Sequence, residues 1–204
     1  DFDMTIILTK CSTALVKQTV SRMTSEFDCF RNGNATVGEV VAQDILEIDF
    51  RSCETMEDKE NAVKKFLRRY KGKKRIIVVK KQADNVDRLN LFIEAIVKYE
   101  YYKRLLIVDD EADITSIGYE KFKGQEQLSL RRISGAINKM RKSLHSQIEH
   151  VLMQVTATPY ALYLQPENFS NNNIMPIKPL RTVVLPTGKG YIGGDFYFIE
   201  SEDA

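Results

Sequence analysis

The sequence predicts an α/β fold, with a largely parallel sheet and flanking helices. Short runs of β-branched and aliphatic residues alternate along the chain with longer amphipathic runs, which is the pattern of consecutive βαβ units. The 204 residues, 43% hydrophobic and 28% charged, are enough for one ordinary core. We expect residues 1–164 to form the α/β lobe and residues 165–204 a loop followed by a β-hairpin tail.

In the first half of the chain, Met4 to Leu8 is typical of a buried strand, and the run STALVKQTVSRMTSEF behind it has the apolar spacing of a helix. NGNATVGE predicts a loop. The alternating pattern of DILEIDF predicts a second strand over Asp44 to Phe50. Thr55 and Asp58 then have the spacing of a helix start, so MEDKENAVKKFLRRYKG should be helical.

The second half continues the alternation of strands and helices. The predicted strands are RIIVVK, LLIVDD and VLMQVTATP, and the predicted helices between them are VDRLNLFIEAIVKYE and LRRISGAINKMRKSL. Beyond Gln165 the sequence becomes loop-like. RTVVLPTGKGYIGGDFYFIE predicts two further strands around a glycine-rich turn.

Composition excludes several classes of function. The formal net charge is only +2, so affinity for nucleic acid would have to come from a local patch. Cys11, Cys29 and Cys53 form no CxxC pair, which argues against a disulfide framework and a zinc site. No apolar stretch has the length of a membrane span, and the first residues lack the pattern of a signal peptide. We expect a soluble cytoplasmic protein with no membrane partner.

Four acidic residues follow the predicted fourth strand: Asp109, Asp110, Glu111 and Asp113. Open α/β sheets place ligand sites at the carboxyl ends of parallel strands. Neighbouring buried carboxylates repel one another unless a cation compensates, and Mg²⁺ with a nucleotide phosphate is a common compensator. The pattern therefore predicts one acid that holds Mg²⁺ and a neighbour that orients an attacking water. The structural alternative is a solvated strand end with an acid that caps the next helix.

LIVDDE also resembles the start of a phosphorelay receiver domain, in which paired acids bind Mg²⁺. That fold needs a phosphate-accepting aspartate at the end of a later strand. Here the next aspartate after Asp113 is Asp195, and the later strand ends in Thr156 and Thr158. The spacing argues against a receiver.

Together, LLIVDDEAD and VTATPYA resemble the first RecA-like lobe of a superfamily-two helicase or translocase of the DEAD/DEAH-box type. The first stretch resembles the Walker B motif, and the second is similar to the Ser/Thr-Ala-Thr motif that links ATP hydrolysis to nucleic-acid binding. Within that superfamily, the closest resemblance is to helicase-like ATPases associated with bacterial restriction and repair endonucleases. The stretches ILTKCSTALVKQT, INKMRKSL and YIGGDFYF carry this narrower resemblance.

The resemblance implies roles for individual residues, with Mg²⁺ and ATP as cofactors. Asp110 would help to hold Mg²⁺, and Glu111 would position and polarise the attacking water. Asp113 would contribute to cofactor binding with Asp110 and would couple to the TATP segment through the hydroxyls of Thr156 and Thr158. The resemblance assigns no role to Asp109.

The resemblance also implies a nucleic-acid partner, expected to be DNA, and a nuclease domain as a further partner. Thr9 and Lys10 resemble the Thr-Arg pair that contacts the nucleic-acid backbone in these helicases. The spacing from this pair to Leu15 and Gln18 is longer than in the usual pattern. A solvated strand end is the alternative interpretation of Lys10.

A phosphate-binding loop of the form GxxxxGK[ST] is missing from the sequence. LPTGKGYIGG contains Gly188 and Lys189, but Val183 stands where the first glycine should be and Gly190 replaces the Ser/Thr. We therefore predict a hairpin turn there. Because the chain opens at Asp1, almost on the first strand, we expect an excised segment, with the phosphate loop upstream and a second RecA-like lobe downstream.

Loss of the phosphate-loop strand would expose the edge of VLMQV, and unpaired apolar edges favour pairing with another strand. We expect the tail strand near Arg181 to Leu185, or a second copy of the chain, to cover this edge.

The basic run from Lys64 to Arg75 fits a solvated helix face better than a site that binds phosphate. Glu57 and Lys59 fit a helix N-terminus better than a nuclease ExK element.

Two functional hypotheses result. In the first, the chain is a segment of an ATP-dependent DNA helicase or translocase-like ATPase that is inactive alone. In the second, it is a non-catalytic module with a helicase-like shape that docks nucleic acid or a nuclease.

Overall fold

The computed structural model describes residues 2–31, 40–69, 74–120, 129–144, 148–165, 177–186 and 188. Its centre is a five-stranded, fully parallel sheet, and the predicted α/β class is confirmed. The strands are β1 (Met4–Thr9), β2 (Val40–Asp44), β3 (Lys74–Lys80), β4 (Arg104–Asp110), β5 (Tyr119–Glu120), β6 (Ser129–Leu130) and β7 (Glu149–Val155). Their order in the sheet is β2-β3-β1-β4-β7, and β5 and β6 form a separate antiparallel pair.

In the described ranges, six α-helices connect or follow the strands. They are α1 (Thr13–Arg31), α2 (Met56–Arg68), α3 (Ala83–Lys98), α4 (Ala112–Thr115), α5 (Arg132–Leu144) and α6 (Tyr160–Tyr163). The predicted helices that follow β1 and β3, and the one that precedes β7, are all present, although their bounds differ by a few residues.

The two faces of the sheet are covered unequally. Helices α2, α3 and α5 pack on one face and form the main core, to which β3 contributes Ile77 and Val79. On the other face, α1 packs on Ile76 and Val78 through Val16. The β3 side chains alternate between the two faces because successive residues of a strand point to opposite sides of the sheet. Because α1 leads from β1 to β2, it covers the β2-β3-β1 part of its face and leaves the β4-β7 part more open.

The predicted second strand over Asp44 to Phe50 is wrong. The strand ends at Asp44, and Ile45–Glu47 forms a 3₁₀ turn. The Asp44 carboxylate accepts a hydrogen bond from the Leu46 amide at 2.9 Å, which caps the turn. Ile45 and Ile48 are both buried, with the spacing of three that a 3₁₀ turn brings to one side.

The predicted start of α2 is confirmed. Thr55 is the N-cap, its hydroxyl accepts from the Asp58 amide at 3.1 Å, and the Asp58 carboxylate accepts from the Thr55 amide at 2.9 Å. This reciprocal capping box satisfies two backbone donors at the helix start. Thr55 and Asp58 therefore have a structural role at the start of α2.

Strand β7 is an edge of the sheet within the described part of the chain. One side of it presents Val151, Met153 and Val155, which are 49%, 45% and 43% exposed. The predicted tail strand does not pair with it, because residues 180–186 form a bend and irregular backbone, and Val183, Val184 and Leu185 are at least 69% exposed. The second arm of the predicted hairpin lies outside the described residues.

Across the described ranges, none of the helices combines the length and apolar character needed to cross a membrane.

Candidate functional site

The candidate site is a crevice between the carboxyl ends of β1 and β4. The chain leaves β1 towards β2 on one side of the sheet and leaves β4 towards β7 on the other side. Such a reversal of direction between neighbouring parallel strands opens a crevice, where open α/β folds bind ligands. Lys10 follows β1 and Glu111 follows β4, and their Nζ and Oε2 atoms are 3.2 Å apart. The acidic sequence thus lies at the switch point.

The four acids do not converge on one point. Because side chains alternate along β4, Asp109 lies on the core face with Ile107, whereas Asp110 lies on the opposite face. Asp109 is fully buried, and Asp110 is half-buried. Within the described residues, no three His, Cys, Asp or Glu side chains are grouped to hold a metal ion. The acids therefore have separate environments.

Asp109 is paired with a residue that sequence reasoning missed, Lys81, which directly follows β3. Both side chains are at most 1% exposed, and Lys81 Nζ lies 3.2 Å from Asp109 Oδ1. The Ser116 hydroxyl donates to the same oxygen at 2.8 Å. Burial raises the pKa of the Asp109 carboxyl, and the nearby Lys81 ammonium and the Ser116 hydroxyl partly offset that effect.

Lys81 could have been found by extending the period of two beyond β3. Ile77 and Val79 point into the core, so residue 81 falls on the same buried side. A buried lysine requires acceptors or an acid nearby. The sequence shows only a Lys-Lys pair at a strand end, which normally indicates a solvated boundary.

Glu111 is the N-cap of α4 and has a left-handed backbone, with φ 49° and ψ 53°. Its side chain leaves the sheet at the crevice and lies next to Lys10. Glu111 Oε2 has no hydrogen-bond partner among the residues that the structure describes, so the pair is an electrostatic contact without a directed hydrogen bond. The contact is half-exposed, with 53% and 40% of the two side chains accessible, and should be weak.

Asp113 joins the DDEAD segment to the TATP segment, as the resemblance implies. The Thr156 hydroxyl donates to Asp113 Oδ1 at 2.6 Å, and the Thr158 hydroxyl donates to Oδ2. Burial would raise the pKa of this carboxyl, but the two hydroxyl hydrogen bonds outweigh burial and hold its pKa below the usual value. Thr156 also accepts from the Thr158 amide at 3.0 Å, which shapes the loop after β7.

Asp110 is the acid whose geometry suits a Mg²⁺ ligand. Its Oδ1 accepts one hydrogen bond, from the Glu111 amide at 3.1 Å, and its side chain is neither fully buried nor ion-paired in the described part of the chain. Mg²⁺ is commonly held by one or two carboxylates, several waters and substrate phosphates. A single carboxylate at the mouth of a crevice fits that pattern, provided that the phosphates come with a nucleotide.

The structure separates the Thr9–Lys10 pair. Lys10 is exposed beside Glu111, whereas Thr9 is only 3% exposed and its carbonyl accepts from the Lys81 amide at 2.8 Å. The Thr9 side chain is thus inside the protein, where it does not face a nucleic-acid backbone. Of the two residues, Lys10 alone is exposed at the crevice.

Three other residues were considered from the sequence. Lys189 lies outside the described residues. Glu57 and Lys59 lie in the first turns of α2.

Comparison with known proteins gave no matching family model and no significant match to a curated protein.

Proposed function

We propose that the chain is the part of an ATP-dependent DNA helicase or translocase-like ATPase that carries the Walker B and TATP motifs. One observation carries this proposal: Asp113 of DDEAD accepts hydrogen bonds from both threonines of TATP. These hydroxyls come from the end of the neighbouring parallel strand. An acid that served only to stabilise the first turn of α4 would not need this link.

The residues of the crevice would divide the chemistry between them. When bound, Mg²⁺ would supply charge neutralisation for the phosphates of ATP. Asp110 would hold the ion, and Glu111 would accept a hydrogen bond from the attacking water and polarise it. Asp113 would transmit a change at this acid loop to the loop after β7 through Thr156 and Thr158.

A phosphate-binding loop from another segment would complete the site, because the sequence contains no GxxxxGK[ST] pattern. We therefore expect the 204-residue chain to bind Mg²⁺-ATP weakly or not at all. Lys10, exposed next to Glu111, is the residue that we propose contacts a DNA phosphate.

A second candidate is a non-catalytic module that docks DNA or a nuclease. The ion pair between Lys10 and Glu111 favours it, because the Lys10 ammonium lies beside the carboxylate that would have to accept the attacking water. The two candidates differ in whether Glu111 is used in turnover.

The test is calorimetry with Mg²⁺-ATP and a phosphate-release assay, on the 204-residue chain and on a longer protein that includes a phosphate-binding loop. The ATPase proposal requires that the longer protein bind and hydrolyse ATP. Glu111→Gln should keep binding and lower turnover about 100-fold or more. Glu149→Gln, which changes one carboxylate at the opposite end of the sheet, is the matched control.

If the longer protein neither binds nor hydrolyses ATP, the module becomes the better proposal. If the Glu111→Gln variant of the longer protein hydrolyses ATP as fast as the unmodified one, the role assigned to Glu111 is wrong.

A further inference from the structure

Glu111 has a backbone conformation that its position in the chain does not explain. Two non-glycine residues in the described ranges have positive φ, Glu100 at 51° and Glu111 at 49°. Glu100 follows the C-terminus of α3, where the left-handed conformation is common, and its amide donates to the Val97 carbonyl at 3.2 Å. Glu111 instead precedes a helix, where the N-cap residue is normally extended. Something outside the helix must stabilise it.

The ammonium of Lys81 supplies that stabilisation. Lys81 Nζ donates to the carbonyl of Asp110, and to the carbonyl of Glu111 at 2.9 Å. Successive carbonyls of an extended strand point in opposite directions, so they cannot both reach one donor. The left-handed turn at Glu111 brings the two oxygens to the same side, and one ammonium then satisfies both.

Lys81 is itself held in place. Its side chain is 1% exposed, and its own amide donates to the Thr9 carbonyl at 2.8 Å, which ties the residue to the end of β1. Beyond the two carbonyls, the ammonium contacts Asp109 Oδ1 at 3.2 Å and the Ser116 hydroxyl at 3.4 Å. The lysine therefore reaches from β3 past β1 and bonds to the loop after β4.

We infer that Lys81 is the positioning residue for Glu111: its ammonium holds the left-handed turn that directs the Glu111 carboxylate into the crevice beside Lys10. The inference rests on the proposed function only where it assumes that Glu111 polarises the attacking water. The position of the Glu111 carboxylate does not depend on that role. Asp109 is then the counterion of the Lys81 ammonium. This gives a role to the one acid of DDEAD that the family resemblance left unassigned.

A purely structural alternative is that Lys81 serves only to neutralise Asp109. Four variants separate the two roles. Lys81→Met removes the ammonium, and Lys81→Met with Asp109→Leu removes both buried charges. Asp109→Asn keeps the ammonium and its two carbonyl acceptors. Lys80→Met is the matched control, since Lys80 is the adjacent lysine and contacts Thr13 instead.

The primary measurement is made by NMR on the 204-residue chain, because it needs no catalytic activity. A residue at positive φ gives a strong intraresidue amide–Hα NOE, which we would follow at Glu111. We expect this NOE to be lost in both variants that lack Lys81, and kept in Asp109→Asn and Lys80→Met. The double variant should regain the melting temperature that Lys81→Met loses, without regaining the NOE at Glu111.

Two results would overturn the inference: a Glu111 NOE that persists in a folded Lys81→Met/Asp109→Leu variant, or one that disappears in Asp109→Asn. The second result could still overturn the inference if both Lys81 variants fail to fold. In an ATP-hydrolysing longer protein, the double variant should lower kcat about 100-fold with little change in KM. Absence of turnover in the unmodified longer protein would count against the proposed function, and the NMR result would still decide the role of Lys81.

Discussion

The Thr156 hydroxyl lies 2.6 Å from the Asp113 carboxylate and donates a hydrogen bond to it, although the two residues are 43 positions apart in the chain. The bond connects the loops that follow two neighbouring parallel strands, β4 and β7. A change in the position of either loop must therefore stretch or break a charge-assisted hydrogen bond. These bonds are among the stronger side-chain interactions available to a protein.

The first prediction concerns the stability that this bond contributes. Thr156→Val should lower the free energy of unfolding by about 1 kcal/mol at about pH 7, because it removes one donor to a carboxylate that is only partly screened from water. Urea denaturation would measure the change. Thr5→Val, the same exchange in β1 away from the crevice, is the control. An equal loss in both variants would contradict the prediction.

The second prediction concerns the dependence of that stability on pH. The pKa of Asp113 is held below its usual value, so the carboxylate stabilises the fold above the pKa of the unfolded chain. That contribution should disappear as the pH falls through the lower pKa of the folded state. Unfolding curves at a series of acidic pH values should show wild type and Asp113→Asn converging. A difference that stays constant down to the lowest pH would mean that Asp113 acts through packing.

The third prediction concerns the buried pair of Asp109 and Lys81. Asp109→Ala should lower the free energy of unfolding by about 3 kcal/mol or more, since it leaves a buried ammonium without its counterion. Glu94→Ala, which removes an exposed ion pair with Lys139, should cause no measurable change. Thermal unfolding of the two variants tests this, and comparable losses would show that Asp109 is not desolvated as described.

The fourth prediction uses the left-handed backbone of Glu111. Glycine adopts positive φ without steric penalty, so Glu111→Gly should be more stable than Glu111→Ala by about 1 kcal/mol. At Lys65, on the exposed side of α2, the order should reverse, because glycine destabilises a helix interior. Chemical denaturation of the four variants gives both differences. The same order at both positions would rule out positive φ at residue 111.

The fifth prediction concerns the edge strand. Val151, Met153 and Val155 form an exposed apolar row on β7, and such edges favour pairing between molecules. We expect the chain to self-associate as its concentration rises, and Met153→Glu to shift it towards monomer. Lys65→Gln, which changes the net charge by the same amount at an exposed helix position, is the control in light scattering. A chain that stays monomeric at high concentration would contradict this expectation.

Much of the fold could be predicted from local patterns. The buried strands β1, β3 and β4 are continuous aliphatic runs, and the residues between them have the period of a helix, so both kinds of element are encoded within short windows. DILEIDF misled the prediction because a 3₁₀ turn and a strand bury similar residues over so short a stretch. In the structure, the Asp44 carboxylate accepts a hydrogen bond from the Leu46 amide, which favours the 3₁₀ turn over a continued strand.

The site was predictable only in part. The link from Asp113 to Thr156 follows from a family resemblance, but the separation of Asp109 from Asp110 depends on which face of the sheet each side chain occupies. Lys81 was missed because its partner lies across β1, and local sequence patterns do not indicate which strands are neighbours. The left-handed backbone of Glu111 was equally hard to predict from the sequence, since glycine and asparagine are the residues that usually adopt positive φ.

The ammonium of Lys81 holds the loop after β4 as a bound cation could, and its covalent attachment to the chain has a practical consequence. A bound metal would make the shape of the loop after β4 depend on the concentration of free ion, and a chelator would then distort it. A lysine side chain is present in every molecule and cannot be dialysed away. The loop should therefore keep its shape in EDTA, so a metal requirement found for this protein would not arise from distortion of this loop.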